Sequence, residues 1–341
     1  MARMLWRLCV EYADLPGYCK YVSNVPAVLE GLFVDHKIRF TQPAALNDPI
    51  DCHPLLNVPC ELGQHTRYVV DGVHMPSAND WYHVQLIESR VNEFGILSLT
   101  KNPVSFDMWS KYANGHKGFL IELRSDFNTH KSMCSDVGVP YPLVPVRYCD
   151  SFELDLHECR GPGGGLLLQE FERRFFYTKL NRWASEKEFR MVRPLTDLGK
   201  RSGGLHVGTY RDFANVYAGD LPLELINTLT FGGYMPPETK RWIIERCEDT
   251  SIQFLQCMLF PKEKDENGLA PAVRLLPLDD VVLRNKVLEM QPQLLLMGNA
   301  DLLAKRTVRL RTTSELPYYS FETELVDDLF RRLKRRQRSR Q

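Results

Sequence analysis

The segment Glu186-Lys187-Glu188-Phe189-Arg190 is the strongest candidate for chemistry in this chain. In extended backbone, residues two apart face the same way. Glu186, Glu188 and Arg190 are therefore expected on one face, with Phe189 and Met191 on the other. Two acids at one place can stabilise developing positive charge, as carboxylates do when a glycosidic bond breaks. They can also simply pair with nearby cations, which contributes about 0–1 kcal/mol when exposed. Three other blocks mix polar and aromatic residues in a way that a plain core does not require. They are Lys20-Tyr21-Val22-Ser23, Leu46-Asn47-Asp48-Pro49-Ile50-Asp51, and Leu97-Ser98-Leu99-Thr100 followed by Met108-Trp109-Ser110-Lys111-Tyr112-Ala113 and His116-Lys117-Gly118. The acidic block extends upstream as Lys179-x-x-x-Trp183-x-x-Glu186-x-Glu188-x-Arg190.

Each block also has a plain structural reading. Asn47-Asp48-Pro49 is good turn chemistry, and Trp109 and Trp183 are of the type that fills cores. Lys179 and Trp183, four apart, would share a helical face at the edge of a core. Other signals are weaker. Gly161–Gly165 lacks the Gly-Lys-Ser/Thr of a phosphate loop and reads as a surface loop. Arg124 and His130 have a spacing used by some helical ribonucleases, but Arg124 falls at a strand end. Cys52, His53, Cys60 and His65 do not repeat at zinc-ligand spacings, so no metal is expected there. The nucleophile elbow and the H-E-x-x-H motif are both missing.

At these four blocks the chain resembles a widespread bacterial family known only as a domain of unknown function. Its members read roughly L-Y-K-Y-R-S, L-N-D-P-F-E, M-W-S-H-Y-A-x-x-H-x-G and K-x-x-x-W-x-x-E-x-E-x-R. The resemblance covers about residues 15–275 and includes Leu221-Pro222 and Phe231-Gly232-Gly233. Cys19, Val22, Ile50-Asp51 and Lys111 depart from the pattern. More distantly the order of blocks is similar to the ADP-ribosyltransferase-like fold. That likeness implies NAD as co-substrate and a macromolecular acceptor, in a toxin or phage-defence setting. It also implies roles. Glu188 would be the catalytic carboxylate at the ribose, with Glu186 placing the acceptor. Lys20, Tyr21, Arg39, Ser98, Thr100, Trp109 and Tyr112 would bind the cofactor, and Asn47, Asp48, Lys179, Trp183 and Arg190 would complete one cleft.

Two alternatives stand beside this reading. One is a non-catalytic regulatory module that holds a nucleotide or nucleic acid. The other is a nuclease-like enzyme using Asp48, Asp51 and Glu188 around Mg²⁺. The transferase needs Glu188 facing a cleft beside Lys20 and Ser98. The nuclease needs three carboxylates converging within reach of a metal. The module predicts acids that are all internally paired.

The elements that would position these residues read as an α+β domain with a mixed or antiparallel sheet and packed helices over about 10–278. A helical extension over 279–341 follows. Strands are expected at 37–41, 95–100, 118–123, around 144–148, and at 186–193. A strand–helix–strand passage is expected at 225–231, 237–248 and 252–258. Helices are expected after a Ser23 or Asn24 cap, over 79–92, at 107–112 behind Ser105 or Asp107, and over about 166–184. Residues 52–80 and 262–268 read as loop.

The chain has 341 residues, 44% hydrophobic and 25% charged, which excludes wholesale disorder. Basic and acidic residues balance at 43 each, but residues 331–341 hold seven basic side chains and no acid. That tail is expected to bind anions such as nucleic acid. No apolar run reaches the roughly 20 residues of a membrane helix. Nine scattered cysteines without a C-x-x-C pair suggest reduced thiols and a cytoplasmic location.

Overall fold

The computed structural model describes residues 15–48, 51–52, 55–57, 68–70, 73–75, 91, 93–151, 153–155, 168–201, 216–261 and 271–278. In chain order the strands are β1 (Tyr18–Val22), β2 (Lys37–Phe40), β3 (Leu55–Asn57), β4 (Tyr68–Val70), β5 (Val73–Met75), β6 (Phe94–Thr100), β7 (Phe119–Leu123), β8 (Leu143–Pro145), β9 (Arg147–Cys149), β10 (Glu153–Asp155), β11 (Thr178–Leu180), β12 (Glu188–Pro194), β13 (Gly199–Arg201), β14 (Val216–Asp220), β15 (Ile226–Phe231), β16 (Gln253–Pro261) and β17 (Pro271–Pro277). The α-helices are α1 (Pro26–Phe33), α2 (Phe106–Tyr112), α3 (Leu168–Phe176) and α4 (Pro237–Arg246). The class is α+β, with mixed strand pairing and few helices.

The expected body at 10–278 falls into two compact, discontinuous units. The first comprises the described residues of Met1–His36, Lys101–Ser125 and Leu221–Gln341. The second comprises those of Lys37–Thr100 and Asp126–Asp220. The expected extension at 279–341, its basic tail, the loops at 161–165 and 262–268, and all but Val91 of the expected helix at 79–92 lie outside the described residues.

In the first unit five strands run in the order β17-β16-β15-β7-β1. All neighbours are antiparallel except β15 and β16, which are parallel. A parallel pair needs a crossover, and α4 supplies it. On β7 the buried Glu122 accepts from Gly17 N–H at 2.8 Å and from the Thr228 hydroxyl at 2.7 Å. The core gathers Cys19 and Tyr21 of β1, Met108 and Trp109 of α2, Leu120 of β7, and Leu255, Cys257 and Leu275. Ser105 caps α2 by accepting from Met108 N–H. The predicted cap of α1 differs: Val25 holds that place without a side-chain bond, and Asn24 instead accepts from the Asn114 amide at 2.9 Å.

The turn after β15 is closely packed. A Cβ on Gly232 would lie 2.2 Å from the His116 carbonyl oxygen and 2.6 Å from that of Gly118. Both obstacles are backbone, so Gly232→Ala is expected to cost about 1–3 kcal/mol, read as a lowered midpoint in thermal unfolding. An unchanged midpoint would mean that the turn opens freely.

In the second unit β12 lies between β6 and β8, antiparallel to both, with Glu188 opposite Thr100 and Arg190 opposite Ser98. Strands β13, β14 and β2 form a separate antiparallel set. Arg193 of β12 is buried. It stacks on Phe40 and Tyr141 and donates to the Ser132 and Asp197 carbonyls. Phe171, Phe175 and Phe176 of α3 pack with Leu46, Cys52, Phe94 and Ile96.

Three expectations are corrected here. The helix predicted over 166–184 stops at Phe176. Thr178–Leu180 becomes β11, parallel to β9, and Asn181–Glu186 becomes a 3-10 helix. Pairing with a strand thirty residues earlier overrides the local pattern. The loop predicted over 52–80 contains β3, which pairs in parallel with β10, and the β4–β5 hairpin. The strand predicted around 144–148 is divided into β8 and β9.

Candidate functional site

The second unit contains a buried group of five charged side chains: Asp51, Lys179, Glu186, Glu188 and Arg190. Arg190 is fully buried on β12, and each of its five N–H donors is used. Its Nε donates to Glu188 Oε1 at 2.8 Å. Its Nη2 donates to Asp51 Oδ2 at 2.6 Å and Glu188 Oε2 at 3.3 Å. Its Nη1 donates to the Phe176 carbonyl at 2.8 Å and Cys52 Sγ at 3.5 Å. The Phe176 carbonyl ends α3, so Arg190 also ties off that helix.

Lys179 is the second cation. Its Nζ lies 2.9 Å from Glu186 Oε2, 2.9 Å from Glu188 Oε2 and 3.6 Å from Asp51 Oδ2. Three carboxylates thus converge on one ammonium. Burial would push the Glu188 carboxyl up, but Arg190 and then Lys179 outweigh it and hold the pKa at about 2. Burial would likewise lower Lys179 and Arg190, and the surrounding carboxylates keep both firmly protonated. Burial raises the Cys52 thiol despite Arg190 beside it, so it is a packed thiol and not a thiolate.

Above this group Asp48, itself buried, accepts from Arg182 Nη2 with both oxygens at 2.9 Å and from Trp183 Nε1 at 2.5 Å. The Arg182 guanidinium sits 5.5 Å over the Trp183 ring, and Lys179 Nζ sits 5.1 Å from it. Asp48 therefore does more than shape a turn: it fixes a cation–indole stack. The Arg182 side chain is 53% exposed.

The sequence placed Glu186, Glu188 and Arg190 on one strand face. Only Glu188 and Arg190 belong to β12; Glu186 ends the 3-10 helix and precedes Lys187, whose φ of 46° turns the chain. Glu186 still reaches the same ammonium, by that turn and not by strand alternation. The Lys179–Trp183 contact likewise comes from β11 and the 3-10 helix, not from one helical face. Thr100 is buried and its hydroxyl donates to the Glu186 carbonyl at 2.5 Å; Ser98 is half-buried. Arg39 and Asn47 are exposed in the same unit.

Lys20, Tyr21, Trp109 and Tyr112 belong to the first unit. Lys20 is half-buried on β1. Trp109 is fully buried, edge-on to Tyr21 at 5.2 Å, and donates its indole N–H to the Pro103 carbonyl at 3.0 Å. It is a satisfied core residue, with no face left for a ligand. Tyr21 donates its hydroxyl to the Asn102 carbonyl at 2.7 Å, and Tyr112 packs at the margin of the same core.

Sequence reasoning weighed Asp51 and Cys52 only as metal ligands and passed over Arg182. Asp51 is 139 positions from Arg190, and nothing local announces that pairing. Arg182 was legible as the neighbour of Trp183 in an otherwise singled-out block.

Among the described residues no group of His, Cys, Asp and Glu is arranged to hold a metal. No described helix is long and apolar enough to cross a membrane. The six described cysteines are free thiols. Comparison of the chain with family models, curated proteins and solved structures gave no match.

Proposed function

We propose that the chain is a non-catalytic module that holds a nucleotide or nucleic acid. The observation that carries this reading is the internal pairing of the candidate acids. Asp51, Glu186 and Glu188 are each engaged by Lys179 or Arg190 and are each buried. A carboxylate committed in this way is a structural support, not a group waiting for a ribose or a metal. What the site offers outward is the exposed Arg182 guanidinium on Trp183, anchored by Asp48. Arg pairs with phosphate, and a guanidinium–indole stack gives a base something to lie against.

Fluorescence anisotropy with single-stranded RNA, and titration with nucleotides, tests this. Arg182→Glu and Trp183→Ala are each expected to weaken binding by about tenfold or more, since one stacked base contributes about 1–3 kcal/mol. Removing residues 331–341 should flatten the salt dependence of RNA binding. Equal binding by wild type and both point variants would contradict the reading.

One observation favours a second reading, ADP-ribose transfer from NAD to a macromolecule. The β12–β6 register sets Glu188 opposite Thr100 and Arg190 opposite Ser98, so the acid and the Ser98–Thr100 block that the transferase resemblance assigns to the site lie on neighbouring strands. We expect no NAD hydrolysis by wild type or Glu188→Gln. Turnover in the wild type that Glu188→Gln abolishes would put the transferase first.

A further inference from the structure

We propose that His116 of the first unit is the recognition centre of a nucleobase site, where a ring nitrogen hydrogen-bonds the edge of a planar nitrogen heterocycle. The inference rests on the reading of the chain as a nucleotide or nucleic-acid module and names where a base is read.

His116 is 4% exposed, yet neither Nδ1 nor Nε2 has a hydrogen-bond partner. Buried polar side-chain atoms are almost always paired, so two orphans on one ring call for an explanation. The surroundings are aromatic. Trp109 lies nearly parallel to the imidazole at 6.2 Å, Phe106 is tilted at 4.9 Å, and Tyr234 is edge-on at 6.2 Å. Trp109 is fully buried beneath, whereas Phe106 and Tyr234 are 37% and 47% exposed, among the few large apolar side chains at the surface of the described residues. These two are the exposed members of the cluster, so a ligand would approach from their side.

The backbone is set up to hold the imidazole there. Asn114, Gly115 and His116 all have positive φ, at 48°, 60° and 64°. Asn and Gly take this conformation readily, but His116 does so at a cost, and such conformations gather at functional sites. The His116 N–H donates to the Trp109 carbonyl at 3.2 Å, and its carbonyl accepts from Tyr234 N–H at 2.9 Å. The close approach of Gly232 locks the same carbonyl. The main chain is satisfied and only the ring is not.

Burial lowers the His116 pKa, so at neutral pH the ring is uncharged, with one donor and one acceptor. A nucleobase edge offers a partner to either nitrogen, and its flat face suits Phe106 and Tyr234. A phosphate has no flat face to lay against these rings.

The test is calorimetric titration of the full chain with AMP, GMP, CMP and UMP in turn, with ribose 5-phosphate as the control that lacks a base. His116→Phe keeps the ring volume and removes both nitrogens; Tyr234→Ala removes one outer face. At least one nucleotide should bind, ribose 5-phosphate should not, and His116→Phe should weaken binding at least tenfold. Tyr234→Ala should weaken it about fivefold. Without ligand, His116→Phe should melt no lower than wild type, which separates loss of recognition from loss of fold. Binding that His116→Phe leaves intact, or equal binding of ribose 5-phosphate, overturns the site. RNA binding lost in Arg182→Glu, with none of the four mononucleotides bound, overturns this site and leaves the module reading standing. Neither RNA nor nucleotide binding overturns both.

Discussion

Arg190→Met is expected to destabilise the protein by about 3–5 kcal/mol, because it leaves Glu188 and Asp51 buried without their shared guanidinium. The loss should exceed that of any single surface ion pair, which contributes about 0–1 kcal/mol. Arg190→Lys should recover only part of it, since an ammonium has three donors against the five that Arg190 uses. Replacing Arg190 together with its acids by uncharged residues of similar size should cost less than Arg190→Met alone. The penalty lies in stranding charge, not in losing a contact. Urea unfolding at neutral pH measures all of these. An Arg190→Met variant within about 1 kcal/mol of wild type would mean that water reaches the group.

The same cluster sets the acid limb of stability. Glu188 is held at about 2 in the folded protein, below the ordinary value of 4.5. A depressed carboxylate contributes stability that is fully present above its unfolded pKa and lost as pH falls through the folded one. The contribution, about 3 kcal/mol, is therefore complete above about pH 4.5 and gone near pH 2. Glu188→Gln should flatten that part of the acid unfolding curve.

Much of the framework could be read from alternation and turn residues. β2, β6, β7 and β12 each show the two-residue pattern or a short apolar run bounded by turn signals. The β15–α4–β16 passage is visible because a helical stretch sits between two such runs. The failure at 166–184 is instructive. Phe171, Phe175 and Phe176 do sit on a helix, and Lys179 with Trp183 continues the i, i+4 spacing. A strand followed by a 3-10 turn meets the same spacing, and the choice is made by β9, far away in sequence. The candidate site was half legible for the same reason. Glu188 and Arg190 are near neighbours on one strand. Asp51 and Lys179, which neutralise them or are neutralised by them, come from other elements. Whether an acid is a catalyst or a support depends on those partners, so the local motif alone could not decide it.

Lys240 gives the opposite pH dependence. It lies on the buried face of α4, and its Nζ donates to Gln256 Oε1 at 2.7 Å. The Gln256 amide in turn donates to the Phe231, Gly232 and Cys257 carbonyls, bridging the parallel strands β15 and β16. Burial lowers the Lys240 pKa to about 7, against 10.5 for an ordinary lysine. Between those values the unfolded chain binds a proton that the folded chain does not. Stability therefore rises with pH across this window, by up to about 1.4 kcal/mol per pH unit. Below about pH 7 the cost of charging the buried amine is fully in force; above about 10.5 it has vanished. The rise over the whole window should be about 3–5 kcal/mol. Lys240→Met keeps the length of the side chain and removes the titration. Relative to it, wild type should gain stability steadily from pH 7 to 10.5, and taking the difference cancels the other groups that titrate there. At pH 7 the variant should be the more stable, but by less than the full window, since Gln256 Oε1 loses a donor at a cost of about 1–3 kcal/mol. Parallel stability curves for the two proteins from pH 7 to 10.5 would show that Lys240 keeps its ordinary pKa and that its amine reaches solvent.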